Sequence, residues 1–168
     1  VVDSYKGFGN LKPIPAGPLR QDISTGLAQV DAFITIGEKN EQLERLIPKS
    51  AFIFNAQIKP DTSALPKTYK TESYLAFCGL AHPDKFNVTL KDLGVTIKET
   101  KAFPDHHSYQ SGELKALYEY AKHHGLRLIT TEKDAVKIPK GPWAEILDVL
   151  PIKLEFKEEN QLKDFLSK

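Results

Sequence analysis

Residues 73–134 read SYLAFCGLAHPDKFNVTLKDLGVTIKETKAFPDHHSYQSGELKALYEYAKHHGLRLITTEKD. Two sequence periods alternate in this stretch. SYLAFCGL (73–80) is a near-continuous apolar run, the pattern of a strand covered on both faces. HPDKFNVTLKDLG then places Phe86, Leu90 and Leu93 on one helical face, with Gly94 positioned as the C-cap. VTIKETKAF (95–103) alternates as a strand. SGELKALYEYAKHHG carries Leu114, Leu117, Tyr118 and Ala121 on one stripe, and LRLITT (126–131) closes as a strand. Strands separated by helices of this length predict βαβ units in an α/β fold with a mainly parallel sheet, a three-layer α/β/α arrangement.

Working outward, DAFITIG (31–37) and AFIFNAQIK (51–59) read as strands on either side of EKNEQLERLIP, a helix that Pro48 stops. Residues 1–30 are rich in Gly and Pro, which predicts a structured loop and no helix. PDTSALPKTYKTE (60–72) reads as a polar link. PIKLEF (151–156) predicts a later strand and ENQLKDFLSK a closing helix. Val1-Val2-Asp3 resembles the end of a strand, so the expectation is a fragment with its N-terminal part missing.

Bulk composition removes several function classes. With 23 Lys+Arg against 22 Asp+Glu, nothing in the overall charge attracts nucleic acid. No apolar run approaches the ~18 residues of a membrane span. The single Cys78 cannot form an internal disulfide. Neither G-x-x-x-x-G-K-[ST] nor G-x-G-x-x-G occurs, so no phosphate loop is expected in this chain.

In parallel α/β sheets, ligands bind beyond the carboxyl ends of strands. FPDHHSY (103–109) is one such end. Pro104 has no N–H to donate and biases Phe103 toward extended backbone, so the strand stops there. Asp105, His106 and His107 follow. They fit a polar turn with Asp105 as a cap, an acid–base pair, or part of a metal site. A two-metal phosphoesterase would need further aspartates on neighbouring strand ends, and only Asp3 is at hand. TTEKDAVK (130–137) is a second strand end. Thr131, Lys133 and Asp134 there suit a phosphate or carboxylate contact, and equally a Thr-led helix cap. Arg20 ends the stiff PAGPLR segment, where a guanidinium has little ordering cost when it clamps a phosphate. His123 and His124 sit at a helix C-terminus and His82 at a helix start, positions that predict structural roles.

Taken in order, VVDSYKGFGN, PAGPLR, DAFITIG, AFCGLAHPDKF, FPDHHSY and LITTEKDAVK resemble the C-terminal half of the tetraacyldisaccharide 4'-kinase (lipid A 4'-kinase) family, across nearly the whole chain. That resemblance implies a two-lobe kinase related to the P-loop NTPases. It implies that residues 1–48 are the end of the nucleotide-binding lobe and 49–72 contain linker strand. Residues 73–168 would form the small C-terminal α/β lobe, with the last helix packing back on the first. The implied reaction moves the γ-phosphate of ATP, with Mg²⁺, to the 4'-hydroxyl of tetraacyldisaccharide 1-phosphate in lipid A biosynthesis. The implied location is the cytoplasmic side of the bacterial inner membrane, against the membrane surface. The resemblance makes Asp105 and His106 catalytic, the His tuning an aspartate of the missing N-terminal lobe. It makes Asn10, Arg20 and Gln21 substrate-binding, Gln21 standing where the family usually has Glu. Thr131, Lys133 and Asp134 remain candidates for a phosphate or lobe contact, and no metal ligand is expected in this chain. ATP and Mg²⁺ would bind the complete enzyme and not this chain alone, which is expected to be inactive. The competing expectations are a metal-dependent phosphoesterase using Asp105-His106-His107 and a non-catalytic α/β binding module.

Overall fold

A computed structural model describes residues 1–167. Two compact units emerge. One comprises Val1–Lys59 with Lys153–Lys168, its last residue outside the described part, and the other comprises Pro60–Ile152.

In the first unit, β1 (Val2–Asp3), β2 (Ala32–Ile36) and β3 (Phe52–Pro60) are parallel neighbours, Val2 opposite Thr35 and Ile34 opposite Phe54. A fourth strand, from near the end of the chain, completes the sheet beside β3. Helix α1 (Ile23–Ala28) lies within the segment expected to be loop throughout. The prolines end at Pro18, and Asp22 then caps the turn by accepting from the Ser24 N–H at 3.1 Å, which is enough for six helical residues. Helix α2 (Glu41–Leu46) is capped by Asn40, whose side chain accepts from the Leu43 N–H. Leu43 and Ile47 pack with Val2 and Phe33 as the core on one face of the sheet.

The second unit begins with a short 3₁₀ turn, Thr62–Ala64, and continues through β4 (Ser73–Cys78), α3 (Pro83–Asp92), β5 (Thr96–Ala102), α4 (Ser111–His123), β6 (Arg127–Thr131), α5 (Glu132–Ala135) and β7 (Leu147–Leu150). All strand pairs are parallel, in the order β5-β4-β6-β7. Central β4 divides its side chains by the two-residue period. Tyr74, Ala76 and Cys78 join Phe86 and Leu90 of α3 in one core, while Leu75 and Phe77 join Leu114, Leu117 and Ala121 of α4 in the other. Helices thus cover both faces, as expected for a three-layer lobe. Burying a side chain such as Leu90 or Leu114, each fully inaccessible, contributes about 1.5–3 kcal/mol. Gly94, at φ +78°, ends the α3 segment as its position predicted.

β8 (Ile152–Phe156) lies beside β3 in the first sheet, and α6 (Glu159–Leu166) follows it. Phe165 of α6 packs on Phe52 and Phe54 of β3, centroids 5.1 and 5.7 Å away. The segment 49–72, expected to contain linker strand, includes β3 and the 3₁₀ turn. Phe52–Pro60 is a strand of the first sheet, and Thr62–Ala64 begins the second unit.

β7 had no counterpart among the expected strands, because Asp148 in its middle breaks the apolar pattern. The carboxylate is accommodated by a nearly buried cluster. It accepts from Arg127 Nε and Nη2 at 2.7 and 2.8 Å, and from the Tyr74 hydroxyl at 2.8 Å. Burial, then the Asp148 carboxylate, push the Tyr74 phenol well above its ordinary pKa.

Candidate functional site

The carboxyl ends of β4, β5 and β6 place three short segments side by side in the second unit. Beyond β5, Phe103 donates its N–H to the Cys78 carbonyl at 2.9 Å, and the chain then leaves the sheet. Residues Pro104–His107 form a tight turn closed by the His107 N–H on the Pro104 carbonyl at 3.1 Å. His106 occupies its third position with φ +59°, the left-handed region that side chains other than Gly adopt at a cost. Strain of this kind concentrates at functional sites.

The turn sorts its three polar residues. Asp105 and His106 face solvent, with side-chain exposures of 40% and 75%, and His106 Nε2 lies 3.8 Å from Asp105 Oδ2. Lys133, on the first turn of α5, reaches across to Asp105 Oδ1 at 3.4 Å. Slight burial works against the Asp105 charge, but the Lys133 hydrogen bond and the neighbouring His106 outweigh it. They hold the carboxyl below its ordinary pKa, so it is ionised at neutral pH.

His107 turns inward. Its ring stacks on Phe103 at 4.7 Å, meets Tyr109 edge to face at 5.0 Å, and places Nε2 2.9 Å from Glu113 Oε2. The same Glu113 oxygen accepts from the Gln110 backbone N–H at the start of α4, also at 2.9 Å. His107 is thus an anchor for the turn. Asp105, His106 and His107 do not converge on a point, and no group of three or more His, Cys, Asp or Glu suited to a metal occurs among the described residues. Sequence reasoning missed Glu113, although Gln110-x-x-Glu113 ahead of an apolar stripe is a readable capping-box signature.

The Gln110 N–H and then His107 lower the Glu113 pKa. A carboxylate whose folded pKa lies below its unfolded one stabilises the fold at neutral pH, and that contribution disappears as pH falls through the folded value. Glu113→Gln is therefore expected to melt lower than wild type at pH 7 and to converge with it in acid. Circular dichroism melts across this range check the effect, and a constant difference would contradict it.

At the end of β6, Thr131 and Asp134 face the protein. Thr131 caps α5, accepting from the Asp134 N–H at 3.2 Å and donating its hydroxyl to Asp134 Oδ2 at 2.8 Å. Asp134 has no accessible surface, so it acts on neighbouring protein groups and not on a ligand. Of this segment, Lys133 alone is brought to Asp105.

The three residues expected to bind substrate lie in the first unit. Asn10 holds its own loop, donating to the Ala16 carbonyl at 2.8 Å and accepting from the Lys12 N–H at 3.2 Å. Gln21 donates to Gln29 Oε1 at 3.2 Å. Arg20 is exposed, and its side chain makes no hydrogen bond or ion pair among the described residues. It borders a small apolar hollow of about 250 Å³ that includes Phe8, Leu19 and Leu27.

Parallel α/β units with charged side chains gathered at a sheet's carboxyl end have the layout of ligand-binding α/β lobes. The chain belongs to the tetraacyldisaccharide-1-P 4'-kinase family, whose model matches residues 1–168. Tetraacyldisaccharide 4'-kinase of Methylobacterium nodulans is 37% identical over 165 residues, covering 94% of this chain and 47% of that protein. Those of Rhodopseudomonas palustris and Brucella ovis are each 34% identical, covering 99% of this chain and 50% of their own length. The chain thus spans about half the length of the curated relatives it matches. Among solved structures, LpxK from Aquifex aeolicus, crystallised in complex with ATP, matches 93% of this chain and 47% of its own, with TM-score 0.65 and 24% identity. That likeness agrees with the α/β fold described above.

Proposed function

We propose that this chain is the C-terminal half of a kinase that moves the γ-phosphate of ATP to the 4'-hydroxyl of tetraacyldisaccharide 1-phosphate. The observation carrying this reading is the Asp105-His106 pair, raised on a strained turn at a strand end in a chain whose full length matches that family. An N-terminal half would contribute the nucleotide site. The missing phosphate-loop sequence in these 168 residues supports assigning that site to the other half. ATP with Mg²⁺ supplies the phosphoryl group in such kinases, and catalysis is then mostly positioning and charge stabilisation.

This chain's residues have the following parts in the proposal. His106, its imidazole three-quarters exposed beside Asp105, hydrogen-bonds and orients an aspartate of the other half. Asp105 stays ionised and, with Lys133, holds the local charge pattern. Arg20 clamps a substrate phosphate, helped by Asn10, which keeps the Pro15-Ala16-Gly17-Pro18 loop in shape. Gln21 makes the weaker, uncharged contact. No helix among the described residues is long and apolar enough to cross a membrane. We place the complete enzyme peripherally, on the cytoplasmic side of the bacterial inner membrane where a lipid A precursor would be met.

The test is transfer of label from γ-labelled ATP to the disaccharide. The complete protein is expected to make the 4'-phosphorylated product and the 168-residue chain alone to make none. Transfer by the chain alone, or none by the complete protein, would refute the proposal.

A further inference from the structure

Asp134 is a fully buried carboxylate, an arrangement that is costly unless its oxygens are satisfied. Its partners come from two strand ends and its own turn. Oδ2 accepts from the Gly79 N–H, just beyond β4, at 3.0 Å and from the Thr131 hydroxyl, at the end of β6, at 2.8 Å. Lys137 Nζ lies 3.4 Å from Oδ1. Gly79 in turn sits tight beneath the β5 turn. A Cβ built on it would lie 3.1 Å from the Pro104 carbonyl oxygen and 3.2 Å from His107 Cβ. The residue before Asp134 points the other way: Lys133 extends to Asp105. One turn of helix therefore presents an inward carboxylate that grips β4 and an outward ammonium that reaches the catalytic pair. The buried Tyr109 hydroxyl, with no hydrogen-bond partner among the described residues, belongs to the same neighbourhood. Burial and then the Asp134 charge raise its pKa above the ordinary phenol value.

We propose that Asp134 is a positioning residue: its buried carboxylate locks the first turn of α5 to the end of β4, and that lock sets Lys133 against Asp105. As a role in catalysis, this rests on the kinase reading above. A carboxylate suits the position because every neighbour offers a proton. An asparagine there must turn its NH₂ either toward the Gly79 N–H or toward the Lys137 ammonium.

Two readouts separate this inference from the kinase reading. In the 168-residue chain, Asp105 is faced by Lys133 and His106 and titrates below its ordinary range. By carboxyl NMR, Asp134→Asn and Lys133→Ala are each expected to move that titration upward. An unchanged Asp105 titration in Asp134→Asn would overturn the inference whatever the enzyme does. In the complete kinase, Asp134→Asn is expected to lower kcat by about 10–10²-fold, the scale of a small misplacement, with both KM values within about twofold. Adding it to Lys133→Ala should cost nothing further, since the two act through one contact. Full additivity, or a wild-type kcat in Asp134→Asn, would overturn the inference. Should Asp134→Asn fail to melt cooperatively, Thr131→Val removes one hydrogen bond to the carboxylate and keeps the charge, and the same non-additivity with Lys133→Ala is required. A wild-type protein that transfers no phosphate refutes the kinase reading and leaves the positioning inference to the Asp105 titration.

Discussion

His106→Ala in the proposed complete kinase is expected to lower kcat by about 10²–10⁴-fold, the usual size of a positioned acid–base group. The expectation comes from how the turn treats its residues. His107 and Tyr109 fill the space beneath Phe103, and Glu113 ties His107 to the start of α4. His106 has none of these packing contacts and is three-quarters exposed. A residue at φ +59° with an exposed ring is poorly explained by stability, because Gly would serve the turn better. Steady-state kinetics of the variant decide the matter. A near-normal kcat would assign His106 no part in the reaction.

The largest expected loss of stability lies at the opposite end of the same sheet. Asp148→Ala should destabilise the second unit by about 3–5 kcal/mol, the cost of leaving a desolvated partner charge unpaired. Asp148 retains only 9% of its surface, and its removal strands both the Arg127 guanidinium and the Tyr74 hydroxyl. The contrast is the informative part. Replacing Arg127 by Met and Asp148 by Leu together should cost much less, because no uncompensated charge then remains. Urea denaturation of the three proteins measures the difference. A loss below about 1 kcal/mol for Asp148→Ala would show that the pair behaves as a solvated surface bridge.

The same pair shows where sequence reading stops. The alternation from β4 to β6 was legible because periods of two and 3.6 switch cleanly at Gly and Pro. β7 was not, since its defining residue is a charge whose partners are 21 and 74 positions away in sequence. α1 was hidden for a different reason: the Gly and Pro content of the first eighteen residues dominated a segment whose helix begins only after Asp22. Within the site, Pro104 announced the strand's end, so Asp105 and His106 could be picked out. The inward turn of His107 depends on Phe103, Tyr109 and Glu113 meeting around it, and the positive φ of His106 leaves no mark on composition or period. Asp134 stands in a run of polar residues, where burial is not expected; only the fold reveals that Gly79 and Thr131 enclose it.

On the kinase reading, the Pro104–His107 turn exists to present His106 to a reacting centre, at some expense of stability. The decisive variant is His106→Gly, with phosphoryl transfer by the complete protein and thermal unfolding measured on the same sample. Gly relieves the left-handed backbone, a strain of roughly 1–2 kcal/mol, and removes the imidazole. The expected result is a protein that melts no lower than wild type and transfers phosphate at least about 10²-fold more slowly. Wild-type transfer, or a loss of transfer accompanied by a lower melting temperature, would contradict the claim.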